Sequence, residues 1–431
     1  MKKNSFVVTI SICVLFKLLL DIVFVYIIAS RYSYYGFVME SNYVKTIIAW
    51  IEIVVVIPFL YRYLEKKRLR EYVMIFLILM YYIPGVSFYQ HVQVDNHMFL
   101  LWNCFWLELF FLTSIKRRIK YNQIPCLISR FAGVGVVLLI SIIVICISWR
   151  YVGLRMIITF TNEYSLRAEE RQIVLPIVLE YLYSMSPIIL SLGIVFTILR
   201  RNYVGLCLLV AVQILNFSIG GHKTILLLTI ISVMIGLFWE RIDKKYGNIF
   251  LVFLFVFELV CEIVVYLLTG KIGVTANISR RVYFIPQLLN IFYYDFFTIH
   301  KVDYYAQGPG RILGLKSIYD VPVSNLISNI YFGMDGNSNN GLFSEAYANM
   351  GAVGCFVLPI VILIILSILE LGMRNKNNTV VLLFSFFCAF IWGSGNITTG
   401  LITNGLLMAA LIISISPSMD DKRKRIDVTN R

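Results

Sequence analysis

The stretch NIFLVFLFVFELVCEIVVYLL, residues 248–268, decides the fold class. It is long enough to cross a bilayer, which takes about 20 predominantly apolar residues. Its only charges are Glu258 and Glu262, one helical turn apart. Apolar runs of this kind recur along the whole chain. Of its 431 residues 59% are hydrophobic and only 14% are charged, and the mean hydropathy is +0.81. A soluble domain averages about 45–50% apolar and roughly 25% charged. Soluble, disordered and single-anchor proteins are therefore excluded. The runs also lack the apolar–polar alternation of a transmembrane β-barrel. The composition reads as an all-α polytopic integral membrane protein.

Working outward from that stretch, the sequence reads as about 12 transmembrane helices. They fall near residues 6–28, 46–61, 72–89, 98–114, 131–149, 174–199, 203–219, 224–239, 248–268, 342–371, 379–392 and 398–416. The chain divides into an N-terminal bundle of about nine spans (1–268), a long external loop (269–341), three C-terminal spans (342–416) and a basic tail (417–431). Met1-Lys2-Lys3 before an apolar run resembles a signal peptide. The run to Ile28 is too long, and Lys17 and Asp21 interrupt it, so a retained first span is expected.

Most of the 38 Lys and Arg residues sort to one side, in Arg62–Arg70, Lys116–Lys120, Arg200-Arg201, Arg241–Lys245 and Lys422–Arg425. The positive-inside rule makes that side, with both termini, cytoplasmic. The net charge of +14 is then a topology signal, and no nucleic-acid partner is implied. The expected setting is the inner or plasma membrane of a bacterium. The eight cysteines contain no CxxC and no Cys/His cluster, so neither a disulfide framework nor a metal site is indicated.

Against that background the external charges stand out. Arg150, Arg155, Arg167 and Arg171 crowd the loop between spans five and six, and Arg280-Arg281 open the long loop. Arginine binds phosphate oxygens through a rigid fork, although an arginine such as Arg150 beside Trp149 can also simply reach the lipid headgroups. Lys223 follows Gly220-Gly221-His222 in a tight external turn, which could face an anion or merely join two helices. All four histidines, His91, His97, His222 and His300, fall outside. Histidine titrates near neutrality and can take a proton from a hydroxyl. His300 follows Arg280–Phe297, whose aromatic residues at helical spacing read as an amphipathic helix on the membrane surface. Glu345 lies one turn into span ten and is a second candidate base. Within the membrane, Lys17 with Asp21 and Glu258 with Glu262 are spaced i,i+4. They, with Glu52, Glu108 and Glu180, mark either a transport path or helix-packing contacts.

Several of these segments resemble the O-antigen and capsular polysaccharide repeat-unit polymerases, the Wzy family. They are Thr161-Asn162-Glu163-Tyr164-Ser165-Leu166-Arg167, Gly221-His222-Lys223-Thr224, Arg280-Arg281-Val282-Tyr283-Phe284-Ile285-Pro286 with Tyr293-Tyr294-Asp295-Phe296-Phe297, and the Asn340 to Gly354 stretch. The resemblance implies a GT-C-like membrane glycosyltransferase that works without metal or other cofactor. Such an enzyme moves a growing glycan from undecaprenyl pyrophosphate to a new lipid-linked unit at the outer face, in the company of membrane lipids, a flippase and a chain-length regulator. Under it, Arg167 and Arg281 bind the pyrophosphate with Arg280 and Lys223 in support, and His300 or else Glu345 is the base. A flippase of the same lipid-linked oligosaccharide and an O-antigen ligase-like transferase are the competing readings. The long aromatic loop and the lack of a visible repeat argue against the flippase.

Overall fold

Inside a bilayer the backbone has to satisfy its own N–H and C=O groups, and a helix does so within a single segment. The computed structural model of the chain describes residues 2–40, 42–115, 132–157 and 163–416. Among the described residues there is no β-strand, only one isolated antiparallel bridge between Met39 and Val92. In chain order the helices are α1 (Phe6–Tyr35), α2 (Tyr43–Leu64), α3 (Leu69–His91), α4 (Asn96–Ser114), α5 (Gly133–Val152), α6 (Glu163–Glu170), α7 (Ile177–Leu199) and α8 (Tyr203–Gly220). They continue as α9 (Lys223–Tyr246), α10 (Ile249–Thr269), α11 (Ile285–Ile299), α12 (Val323–Phe332), α13 (Phe343–Met373), α14 (Asn378–Ser394), α15 (Ile397–Leu401) and α16 (Leu406–Ile415).

Among the described residues nine helices are long and apolar enough to cross a membrane: α1, α2, α3, α5, α7, α8, α9, α10 and α13. The protein is a multi-pass helical membrane protein. The three other runs taken as spans fall short of that standard. Helix α4 is long enough but does not qualify on composition, and α14 is short. The run 398–416 is not one helix: it breaks after α15 and restarts at α16 from Gly405, which has φ +82°. Thr398, Thr399, Asn404 and two glycines within eight residues explain the break.

The chain forms two compact units. The first comprises residues 1–118, 246–367 and 389–397, and the second 119–245, 368–388 and 398–431. In the first unit α3 is buried on all sides, as its apolar residues around the whole circumference require. Tyr82 stacks on Trp102 at 5.2 Å between ring centroids, with Trp106 and Phe110 around them. Five of the intramembrane charges, Lys17, Asp21, Glu52, Glu258 and Glu262, have hydrogen-bond partners here, whereas Glu108 Oε2 is buried without one among the described residues. Lys17 Nζ donates to Asp21 and to Gln90 Oε1, and Ser87 Oγ donates to Asp21 Oδ1. Glu52 accepts the Tyr82 hydroxyl at 2.6 Å. Ser279 donates to Glu262 through both its N–H and its Oγ, and Tyr283 OH donates to Glu258 Oε2 at 3.0 Å. In the second unit α7 and α8 are joined by polar contacts. Gln213 Nε2 donates to Ser191 Oγ and to the Pro187 carbonyl, and Asn216 Nδ2 donates to Ser186 Oγ. In a medium that offers no hydrogen bonds, such contacts add to helix packing.

Candidate functional site

In the second unit α8 ends on Gly220, and Gly221 (φ +64°) turns the chain into α9. A left-handed residue is the usual way to end a helix, and glycine takes that conformation without strain. The turn presents His222, exposed, and Lys223, half-buried at the N-terminus of α9. Against it lies α6. Its last residue, Glu170, accepts a hydrogen bond from His222 Nε2 at 2.7 Å on Oε2 and from Tyr183 OH at 3.1 Å on Oε1. The carboxylate reaches this position only because residue 220 has no side chain: a Cβ there would sit 2.4 Å from Glu170 Oε2. Arg167, half-buried, is three residues before Glu170 on the same helix and adds its positive charge to the group. Arg155 pairs with Glu169 beside it.

Burial of Glu170 works to raise its pKa. The hydrogen bond and charge of His222, the Tyr183 hydroxyl and the charge of Arg167 outweigh burial, and the carboxyl titrates below its usual 4.5. Glu170 is therefore an anion at neutral pH. With Nε2 committed to it, Nδ1 is the imidazole nitrogen that can take a proton. A depressed folded-state pKa contributes stability that is present above the unfolded value and is lost as pH falls through the folded one. The melting-temperature gap between wild type and Glu170→Gln is accordingly expected above the ordinary glutamate range, about pH 4.3, and should shrink below it. A gap unchanged down to about pH 3 would remove the ionised Glu170 from this arrangement.

The other candidates lie in the first unit. Residues Ser279–Phe284 form a wide π turn before α11, a form of backbone that recurs at functional sites. The turn splits the adjacent arginines. Arg280 lies over the Tyr32 ring at 4.3 Å and near Tyr35 at 5.7 Å, whereas Arg281 is exposed. Helix α11 exists where the aromatic spacing places it, but it buries polar residues as well as aromatic ones. Gln287 and Asn290 join Tyr89, Asn340 and Ser344 in one hydrogen-bonded network. His300 follows the far end of α11. Its ring stacks on Phe296 at 4.1 Å, and its Nδ1 meets the Phe296 carbonyl at 2.9 Å, which leaves Nε2 as the open nitrogen. The fifteen residues of α11, at 1.5 Å rise each, put about 22 Å between Arg281 and His300, so these two do not meet at one centre. Glu345 is buried, and its Oε2 accepts the Ile397 N–H at 2.9 Å, a contact that anchors the start of α15. His97 is bound to Tyr294 OH, and His91 lies against Asp21.

Of the residues singled out from the sequence, the structure gathers Arg167, Lys223 and His222 in one unit, and it adds Glu170 and Tyr183, which the sequence reading missed. The pairing spans 52 positions and leaves no local pattern. The one available signal is Gly220-Gly221 before His222, since two glycines beside a polar residue accommodate a close neighbour. Among the described residues no three His, Cys, Asp or Glu side chains gather as metal ligands. No family model, no curated protein and no solved structure matches the chain.

Proposed function

We propose that this multi-pass membrane protein is a polymerase of lipid-linked oligosaccharide units, acting at the outer face of a bacterial inner or plasma membrane. The observation that carries the reading is the grouping of Arg167 with an oriented imidazole–carboxylate pair, His222–Glu170, in which Lys223 is the residue that follows His222. Outside the cell no nucleotide sugar is at hand, so the donor has to be a glycan on a lipid pyrophosphate. An acceptor hydroxyl attacks the anomeric carbon, the bond to the pyrophosphate oxygen breaks, and the hydroxyl proton passes to His222 Nδ1. Glu170 orients the ring and balances the imidazolium, as carboxylates do for catalytic histidines. The departing pyrophosphate takes its stabilisation from Arg167, Lys223 and the N-terminus of α9. Within the first unit taken by itself, exposed Arg281 is assigned to phosphate binding, and Arg280, over Tyr32 and Tyr35, to holding the π turn. His300 is the alternative base.

The test is reconstitution of the purified chain in liposomes with a polyprenyl-pyrophosphate-linked oligosaccharide. A ladder of products, each one repeat longer than the last, is expected. Single units moved across the bilayer without growth would make the protein a transporter. Transfer to a foreign acceptor without a ladder would make it a ligase.

A further inference from the structure

The second unit contains a cavity of about 700 Å³, within the range of about 300–1,000 Å³ typical of ligand sites. It is formed by the first half of α5, the end of α7 and the beginning of α8, together with α16. Its walls are apolar along most of its length, and Leu138, Ile142 and Leu208 among them are exposed, so it opens on the surface that faces lipid. Its polar lining gathers at one end: Arg200, Asn202, Glu240, Lys376, Asn377 and Ser416. They follow α7, precede α8, lie near the end of α9, precede α14 and follow α16, so the cavity's polar end is made by the C-terminal ends of α7, α9 and α16 and the N-terminal ends of α8 and α14. The distribution of Lys and Arg along the chain assigns that end to the cytoplasm.

We infer that this cavity is a binding site for an anionic phospholipid of the cytoplasmic leaflet, with an acyl chain along the apolar wall and the phosphate at the mouth. Apolar walls alone select nothing here, because lipid tails are as well solvated by the bilayer as by leucine side chains. Selection has to come from the charged end, and that end is built for an anion. Glu240 accepts the Asn377 amide at 2.9 Å, and Lys376 Nζ donates to the carbonyls of Ser414 and Ser416, which places both side chains at the mouth. Arg200 is exposed and has no acidic partner among the described residues. Helix α8 starts beside it, capped by Asn202 Oδ1 on the Gly205 N–H at 3.0 Å, and adds the positive end of its dipole. Basic pockets between membrane helices on the cytoplasmic side hold anionic headgroups on this principle.

Native mass spectrometry of the full chain in detergent tests the site, with phosphatidylglycerol and phosphatidylcholine of identical chains as probes. Wild type is expected to hold phosphatidylglycerol preferentially. Arg200→Ala should weaken that lipid about five-fold, the factor that one basic residue near a lipid surface contributes, and leave phosphatidylcholine unchanged. Arg200→Lys should keep the preference, and Leu208→Trp, which fills the apolar wall, should weaken both lipids. Equal binding of the two lipids by wild type, or a preference that survives Arg200→Ala, would overturn the inference.

Discussion

Replacing His222 by alanine is expected to reduce glycan chain growth by about 10²–10⁴-fold, the range that a positioned acid–base group contributes, with protein level and membrane insertion unchanged. The imidazole is exposed, so its removal opens no cavity in the fold. What is lost is the proton acceptor. Glu170→Gln keeps the shape of the partner but removes the charge that balances the imidazolium, and should reduce activity by a smaller factor. Gly220→Ala reaches the same pair from the other side. Its Cβ would overlap the Glu170 carboxylate, so Glu170 has to leave His222. If the three residues act as one device, the His222→Ala, Glu170→Gln double variant should be no worse than His222→Ala alone, because members of one catalytic unit are not additive. His300→Ala is the matched control. Its ring is held by Phe296 at the end of α11 away from the arginines. Near-normal ladders from His222→Ala together with loss in His300→Ala would transfer the role of base to His300.

The spans were legible because an apolar run of about 20 residues is a local property that the solvent alone turns into a helix. Where polar and small residues interrupt a run, as from Thr398 to Gly405, local hydropathy does not report the break, and a single span was read where α15 and α16 stand. The site was legible only in its charges. Arginines in loops that the positive-inside rule assigns to the outside stand out against that rule, which made Arg167 and Arg281 visible. Their partners did not stand out. Glu170 sits beside Glu169 in a mixed-charge helix, and its link to His222 exists only once α6 packs on the turn between α8 and α9. Adjacent Arg280 and Arg281 look equivalent in sequence, and the π turn sends one to aromatic rings and the other to solvent. Arg281 and His300 both belong to the long loop, and only the straight run of α11 between them sets them apart. The Asn340–Gly354 stretch has a structural meaning as well, since Asn340, Ser344 and Glu345 all serve contacts within the first unit.

That stretch yields the largest expected effect on stability. Gly341→Ala should destabilise the first unit more than any single polar deletion within it. A Cβ at 341 would lie 1.8 Å from the Trp392 carbonyl oxygen and 2.4 Å from that of Gly395. Both are backbone atoms, so no side chain can rotate away, and the start of α13 has to separate from the end of α14. The neighbourhood resists such a shift. Asn340 Nδ2 donates to the Pro286 carbonyl, to Asn290 Oδ1 and to Ser344 Oγ, all within 2.9 Å. Leu342 already has φ +49°, and Gly393 packs so closely on Tyr81 that a Cβ there would lie 1.8 Å from its Cζ. Overpacking with flexible neighbours costs about 1–3 kcal/mol, and a clash against two carbonyls should exceed that range. Ser344→Ala is the comparison. It removes a donor to Asn290 and an acceptor for Asn340 but introduces no overlap, and should cost about 1–3 kcal/mol. Thermal unfolding of the two variants in one detergent ranks them. A melting point for Gly341→Ala at or above that of Ser344→Ala would show that α13 and α14 do not meet backbone to backbone at this glycine.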